Sequence, residues 1–138
     1  MPPRRLVVEV GEAGLTDDPA VAEQLAGVRA LGVRTAIDRF GSGATALAHL
    51  RRLPVDVLKV DRALFTEPAG QAGPAAPIVD VVVGLGHRLG LQVIAVGLED
   101  DTHLDLVRAA GCHYGQGFRL ARPAHPEHVE AFLESPLR

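Results

Sequence analysis

The stretch Leu53-Pro-Val-Asp-Val-Leu-Lys-Val-Asp61 decides how this chain folds. It sets a short run of branched apolar residues between a proline and a pair of charges. In an extended strand, residues two apart point to the same side. Lys59 and Asp61 are therefore expected to face one space. Lys59 is the single lysine of a chain that carries thirteen arginines and no asparagine. An ammonium and a carboxylate side by side at the end of an apolar strand suit an active site; the plain alternative is a surface salt bridge.

Outward from this stretch, three segments share one grammar of helix, glycine, strand. They are Val28 to Asp38, His87 to Val96 and Val107 to Tyr114, with Gly32, Gly90 and Gly111 at the left-handed position that closes a helix. Asp18-Pro19 supplies an N-cap followed by proline at the first helical position. Val21, Leu25 and Val28 then recur on one face. Ile78, Val81, Val82, Leu85 and Leu89 form a wider stripe behind Pro77, and Leu104, Val107 and Ala110 a weaker one. Pro126 opens a last helix with Val129, Phe132 and Leu133 expected to face inward. Strands are expected near residues 6–10, 33–37, 56–60, 91–96 and 112–116, each followed by a helical stretch. Such alternation predicts an α/β fold with a parallel sheet and helices packed on it. Glu67 to Pro77, with three prolines and two glycines, reads as a loop inside one domain spanning residues 1–138.

The 138 residues suffice for one domain with a core. Hydrophobic content of 47% with 22% charge is ordinary for a globular chain, and 4% aromatics leave the core to Val, Leu, Ile and Ala. A net charge of −3 gives no basic field for nucleic acid. The lone Cys112 excludes an internal disulfide and reads as a buried thiol. There is no membrane segment and no signal-peptide pattern, so the expected location is cytoplasmic. His125-Pro-Glu-His128 is poorly spaced for zinc and suits caps or solvent. Gly41-Ser-Gly43 lacks the Lys-Ser/Thr of a P-loop and reads as a turn.

In parallel α/β folds, working residues gather at the C-terminal ends of the strands. Here those ends carry Glu9 (with Glu12 beyond), Asp38, Lys59 with Asp61, Val96-Gly-Leu-Glu99 and Gln116-Gly-Phe118. Carboxylates converging from several strand ends would suit Mg²⁺ or Mn²⁺, which prefer oxygen ligands.

These same residues carry a family resemblance. Leu-Val-Val-Glu9-Val-Gly-Glu, Ala36-Ile-Asp-Arg-Phe-Gly-Ser-Gly43, the Leu53 to Asp61 stretch, Ile94-Ala-Val-Gly-Leu-Glu99, Gly111-Cys, Gln116-Gly-Phe and Ala121-Arg-Pro123 occur in one order. From about residue 6 to 124 the chain resembles the C-terminal part of an EAL domain. Those domains are TIM-barrel phosphodiesterases that hydrolyse cyclic di-GMP to linear pGpG with Mg²⁺ or Mn²⁺. The resemblance implies metal-ligand roles for Glu9 and Asp38, with Asp61 partnering the metal site. It places Lys59 and Gln116 near the attacking water. It makes Glu99 the support of the loop after Asp38, and ties Phe40-Gly-Ser-Gly43 to dimerisation. Arg39, Glu99 and Pro123 would lie towards the ligand.

The chain departs from the family pattern in four places. Arg39 stands where the second aspartate of Asp-Asp-Phe-Gly belongs, and Val96 where the first glutamate of Glu-Gly-Val-Glu belongs. The Glu-Ala-Leu strand and the following strand with its asparagine ligand have no counterpart. Arginine has no lone pair to offer and stays positive. It can pair with Asp38 or Glu9, or take a phosphate bidentately. With these ligands missing, no metal cofactor is expected unless the domain is active, in which case Mg²⁺ or Mn²⁺ would serve. The expected architecture is a partial TIM-type barrel of about five βα units, truncated, with open sheet edges. A second copy or another protein would cover those edges. The expected function is a degenerate, non-catalytic regulatory module in cyclic di-GMP signalling. Its alternatives are an active phosphodiesterase completed by further sequence or a partner chain, and a sensor that binds cyclic di-GMP without cleaving it.

Overall fold

The computed structural model describes residues 1–15, 18–42, 50–66 and 76–134. Five strands form one sheet: β1 (Val7–Gly11), β2 (Arg34–Phe40), β3 (Val57–Val60), β4 (Gln92–Val96) and β5 (Tyr114–Gln116). Each pairs in parallel with the next, in the order β1-β2-β3-β4-β5. All five lie within a few residues of where glycine punctuation and β-branched runs put them. Four helices are described: α1 (Pro19–Ala30), α2 (Ala76–Arg88), α3 (Asp101–Ala109) and α4 (Pro126–Glu134). The loop expected from Glu67 falls outside the described residues up to residue 75, and Pro77 already belongs to α2.

Parallel strands in sequential order, joined by the right-handed crossovers such sheets favour, send their helices to one face. The strands show the division. Ile37, Leu58, Val60, Val93 and Ala95 are fully buried and form the shared core with Val79, Val83, Leu98 and Val107. On the other face stand Glu9, Ala36, Asp38, Val57, Lys59 and Ile94, one residue out of phase.

Local chemistry fixes the joints. The Asp18 carboxylate accepts the Ala20 N–H at 2.9 Å and opens α1 as expected. Gly32, Gly90 and Gly111 take φ of 81°, 73° and 84°, closing three helices in the left-handed region. At the N-terminal edge of the sheet, Asp56 clips three pieces together. Its carboxylate accepts the Thr35 N–H and Arg29 Nη2, both at 2.9 Å. Burial alone would raise the Asp56 pKa, but these hydrogen bonds and the Arg29 charge outweigh it and hold the carboxyl below its ordinary value.

Two apolar stripes differ from expectation. In α2 the buried residues are Val79, Val82 and Val83, with Gly86, while Ile78 and Val81 are 54% and 62% exposed. The Ile78 to Val83 run is apolar almost all round, so side-chain counting cannot choose its phase. Gly86 chooses it: a Cβ there would stand 2.7 Å from Val93 Cγ2, so the helix backbone presses onto β4 at that point. In α4, Val129, Phe132 and Leu133 are exposed rather than inward, because among the described residues nothing packs over them. β1 and β5 each pair on one side only among the described residues, leaving Val7, Val8 and Tyr114 partly exposed.

Two outcomes are expected. Leu58→Ala should cost about 3 kcal/mol of unfolding free energy in urea, whereas Phe132→Ser should cost less than about 0.5 kcal/mol. Asp56→Asn should lower stability at neutral pH. A lowered folded pKa stabilises above the unfolded value of 3.8, so the gap between Asp56→Asn and the parent should close as pH falls below 3.8.

Candidate functional site

At the C-terminal end of the sheet, Lys59 reaches across two strands. Its Nζ donates to Glu9 Oε2 at 2.7 Å and Oε1 at 2.9 Å, and lies 3.2 Å from Asp38 Oδ1. β1 and β3 are two strand spacings apart, roughly 9.6 Å. Lysine and glutamate close that gap from both sides. Ala36, in register with both Glu9 and Val57, puts only a methyl group between them. The Lys59 residue is 9% exposed. Burial pulls its pKa down, but the hydrogen bonds and charges of Glu9 and Asp38 prevail and raise it above 10.5. The amine is held as an ammonium.

Asp38 meets a second cation. Arg39 Nε lies 3.8 Å from Asp38 Oδ2, with the arginine side chain 69% exposed. Arg39 itself adopts φ 55°, at a bulge where the β2–β3 register slips between Ile37 and Phe40. Of the pairings open to this arginine, the structure shows the one with Asp38.

Asp61 does not join Lys59, although strand parity would aim them together. The strand ends at Val60, and the Asp61 carboxylate turns to accept the Ala63 N–H at 2.9 Å, capping the short 3-10 turn Arg62–Leu64. Most of the loop that Glu99 is expected to support, residues 43–49, lies outside the described residues. Glu99 pairs with Arg62 Nη1 at 2.5 Å, on the surface. Glu12 holds the described start of that loop: its Oε2 accepts the Gly41 N–H at 2.9 Å, and Glu12 is 4% exposed. The sequence carried a signal for this in the spacing of Glu9 and Glu12, two acids three residues apart at a strand end. Gly41 belongs to a turn, as expected, closed by Ser42 donating to the Arg39 carbonyl; Gly43 lies outside the described residues.

Val96 and Gln116 are register partners at the ends of β4 and β5. The Gln116 backbone carbonyl accepts the Leu98 N–H at 3.2 Å, and the residue is exposed. Pro123 is exposed in the irregular segment before α4. Nearby, the Arg122 guanidinium stacks 4.7 Å from the Phe118 ring centroid. Elsewhere, Cys112 is half-buried, and burial pushes its thiol up to about 11, leaving it unreactive. His125 and His128 are exposed.

Glu9 and Asp38 supply the carboxylate oxygens of this rim, and each meets a cation of the chain itself. All four oxygens of Glu9 and Asp38 already face Lys59 or Arg39. Lys59 is the near, largely buried cation of this cluster and Arg39 a more distant, exposed one. Among the described residues, no group of three or more His, Cys, Asp or Glu is placed to hold an ion, and no helix is long and apolar enough to cross a membrane.

Comparison with known proteins places this arrangement. The EAL domain model matches residues 1–123. The bifunctional diguanylate cyclase/cyclic di-GMP phosphodiesterase MucR of Pseudomonas aeruginosa is 38% identical over 130 residues, covering 94% of this chain and 19% of MucR. A solved structure of the PaMucR phosphodiesterase in complex with c-di-GMP superposes with a TM-score of 0.83 at 36% identity, covering 94% of this chain and 52% of that one. BlrP1 of Klebsiella pneumoniae, solved with calcium and cyclic di-GMP, gives a TM-score of 0.79 at 32% identity, covering 88% of this chain and 31% of that one. The chain spans about a fifth of the length of the curated relatives it matches.

Lys59→Met should cost about 2 kcal/mol at neutral pH, the loss of charge-assisted hydrogen bonds with two carboxylates left unpaired. A raised folded pKa stabilises fully below 10.5 and is lost as pH climbs through the folded value. Alkaline denaturation curves should therefore show a decline above pH 10.5 in the parent that Lys59→Met lacks.

Proposed function

The chain belongs to the EAL domain family, and on that premise we propose that it acts in cyclic di-GMP signalling as a non-catalytic regulatory or interaction module. The observation that carries this reading is the charge balance at the strand ends. Glu9 and Asp38, the family-equivalent metal ligands, are both engaged by Lys59, with Arg39 against the second oxygen of Asp38. A hydrolase that works through two dications needs its anionic ligands free, to hold the metals and to lower the pKa of a bridging water. Here Lys59 and Gln116 keep the family's catalytic positions without that metal pair. Asp61 serves as a cap, and on this reading Arg39, Glu99 and Pro123 are the groups assigned to the ligand.

A second reading keeps the activity. The chain covers 52% of the PaMucR phosphodiesterase chain, so further sequence or a partner chain could supply the absent strands and ligands. Lys59, Glu9 and Asp38 would then be a retained half-site, opened when Mg²⁺ or Mn²⁺ displaces the ammonium. A third arrangement, binding of cyclic di-GMP without cleavage, needs only cationic and stacking groups, which Arg39 and Arg122 could supply.

Incubation of the purified chain with Mn²⁺ and cyclic di-GMP should yield no pGpG above the protein-free rate. Conversion that Lys59→Ala abolishes would overturn the non-catalytic reading. Calorimetric titration with cyclic di-GMP in the absence of metal separates the sensor, which releases heat, from a purely protein-binding module, which does not.

A further inference from the structure

Arginine is unevenly spread over the molecule. Eight of the thirteen stand at the end of the sheet opposite Lys59, in the turns that lead into the strands. Arg29, Arg88 and Arg108 lie in the last turns of α1, α2 and α3. Arg4 and Arg5 precede β1, Arg34 opens β2, and Arg51 and Arg52 precede β3. Backbone hydrogen bonds stitch these turns into one row. The Leu6 carbonyl accepts the Arg34 N–H at 3.0 Å, the Thr35 carbonyl the Asp56 N–H at 2.9 Å, and the Asp56 carbonyl the Gln92 N–H at 3.0 Å. Five strand entries span four spacings, roughly 19 Å.

Cations at helix C-termini complement the helix dipole, but each such end offers only about half a negative charge. Within residues 3–6, 29–34, 51–56, 88–92 and 108–113 the one acid is Asp56, already paired with Arg29 at 2.9 Å. Arg4, Arg5, Arg51 and Arg52 are exposed, and among the described residues no ion pair or side-chain hydrogen bond engages them. The rim is therefore strongly positive. Glu9, Asp38, Asp61, Glu99, Asp100 and Asp101 gather at the other end, so the net charge of −3 averages two ends of opposite sign. Those ends are separated by the five residues of β1, roughly 16 Å, or about two screening lengths at physiological salt. The acidic end does not cancel the attraction that the basic end exerts.

Apolar side chains stand among the arginines. Leu31, in the turn between Arg29 and Arg34, is 73% exposed, and Leu6, directly after Arg5, is 43% exposed. We infer that this end of the sheet is a docking surface for a bilayer rich in anionic phospholipid. The arginines meet headgroup phosphates, which guanidinium grips bidentately, and Leu31 enters the interface. A nucleic acid would satisfy the charges but give the exposed leucines nothing. A broad rim of this kind also lacks the groove that tracks a strand. Docked this way, the chain turns Glu9, Asp38 and Lys59 away from the bilayer, and the candidate site stays open to dissolved ligand.

Co-sedimentation of the chain with vesicles tests this. It should pellet with vesicles of phosphatidylglycerol and phosphatidylcholine, stay in solution with phosphatidylcholine alone, and be released by salt. Arg52→Gln should weaken binding about fivefold and Arg51→Gln/Arg52→Gln about twentyfold, from the usual worth of a basic residue near an anionic surface. Leu31→Ser should weaken it severalfold. Arg119→Gln, an equal loss of charge at the opposite end, should leave it unchanged. All of these positions are exposed, so circular dichroism melts should match the parent. A chain that stays in solution with anionic vesicles would overturn the inference. So would vesicle binding indifferent to Arg51→Gln/Arg52→Gln, or retention on duplex DNA in place of vesicles that Leu31→Ser leaves intact.

Discussion

The ammonium of Lys59 stands 2.7 Å from Glu9 and 3.2 Å from Asp38, and so one side chain ties three consecutive strands together at their C-terminal ends. The contact needs three features of the sequence at once. Ala36 has to be small enough to pass beneath it. The register has to set Ala36 beside both Glu9 and Val57. The apolar core on the other face, from Ile37 through Leu58 to Val93, has to fix the parity that sends Lys59 to this side. A one-residue slip of β3 would bury the lysine under the helices and expose Leu58. The ion pair and the core are therefore one constraint seen from two faces of the sheet.

That constraint also shapes what the site can do. In an active metal site, carboxylates repel each other until dications bind, and that repulsion is part of the affinity for metal. Here Lys59 lies against both carboxylates and Arg39 stands further off from Asp38, so the repulsion is already eased. Arg39 acts from a left-handed backbone position, which costs an ordinary residue roughly 1–2 kcal/mol and which Asp and Asn tolerate better. The bulge survives because Glu12 grips the Gly41 N–H from a buried position and Ser42 closes the turn on the Arg39 carbonyl. The loop is thus held by groups that do not depend on which residue stands at 39. The exchange of acid for guanidinium alters the charge of the site without dismantling its frame.

Much of this was legible in the sequence, and the gaps have physical causes. The strands could be read because branched apolar runs were bounded by Gly32, Gly90 and Gly111, each of which does take a positive φ. Glu9, Asp38 and Lys59 could be placed together because strand ends in a parallel sheet share one rim. The phase of α2 could not be read, because its apolar residues spread nearly all round the helix and the decisive residue, Gly86, has no side chain to count. Asp61 was misjudged because period-two reasoning holds only while the strand continues, and this one stops at Val60. Glu12 was legible as an acid beyond a strand end, but its hold on the Gly41 N–H depends on how closely the ends of β1 and β2 meet, which is a tertiary distance.

The exposed apolar residues sort by the same logic. Val7 and Tyr114 belong to strands with one neighbour each among the described residues, so their exposure follows from backbone groups that still call for a partner strand. Val81 sits on a helix whose backbone hydrogen bonds are complete. Its exposure cannot be relieved by adding a strand, only by packing another surface against it. Barrel closure and the packing of this helix face are therefore separate demands, answered at different surfaces.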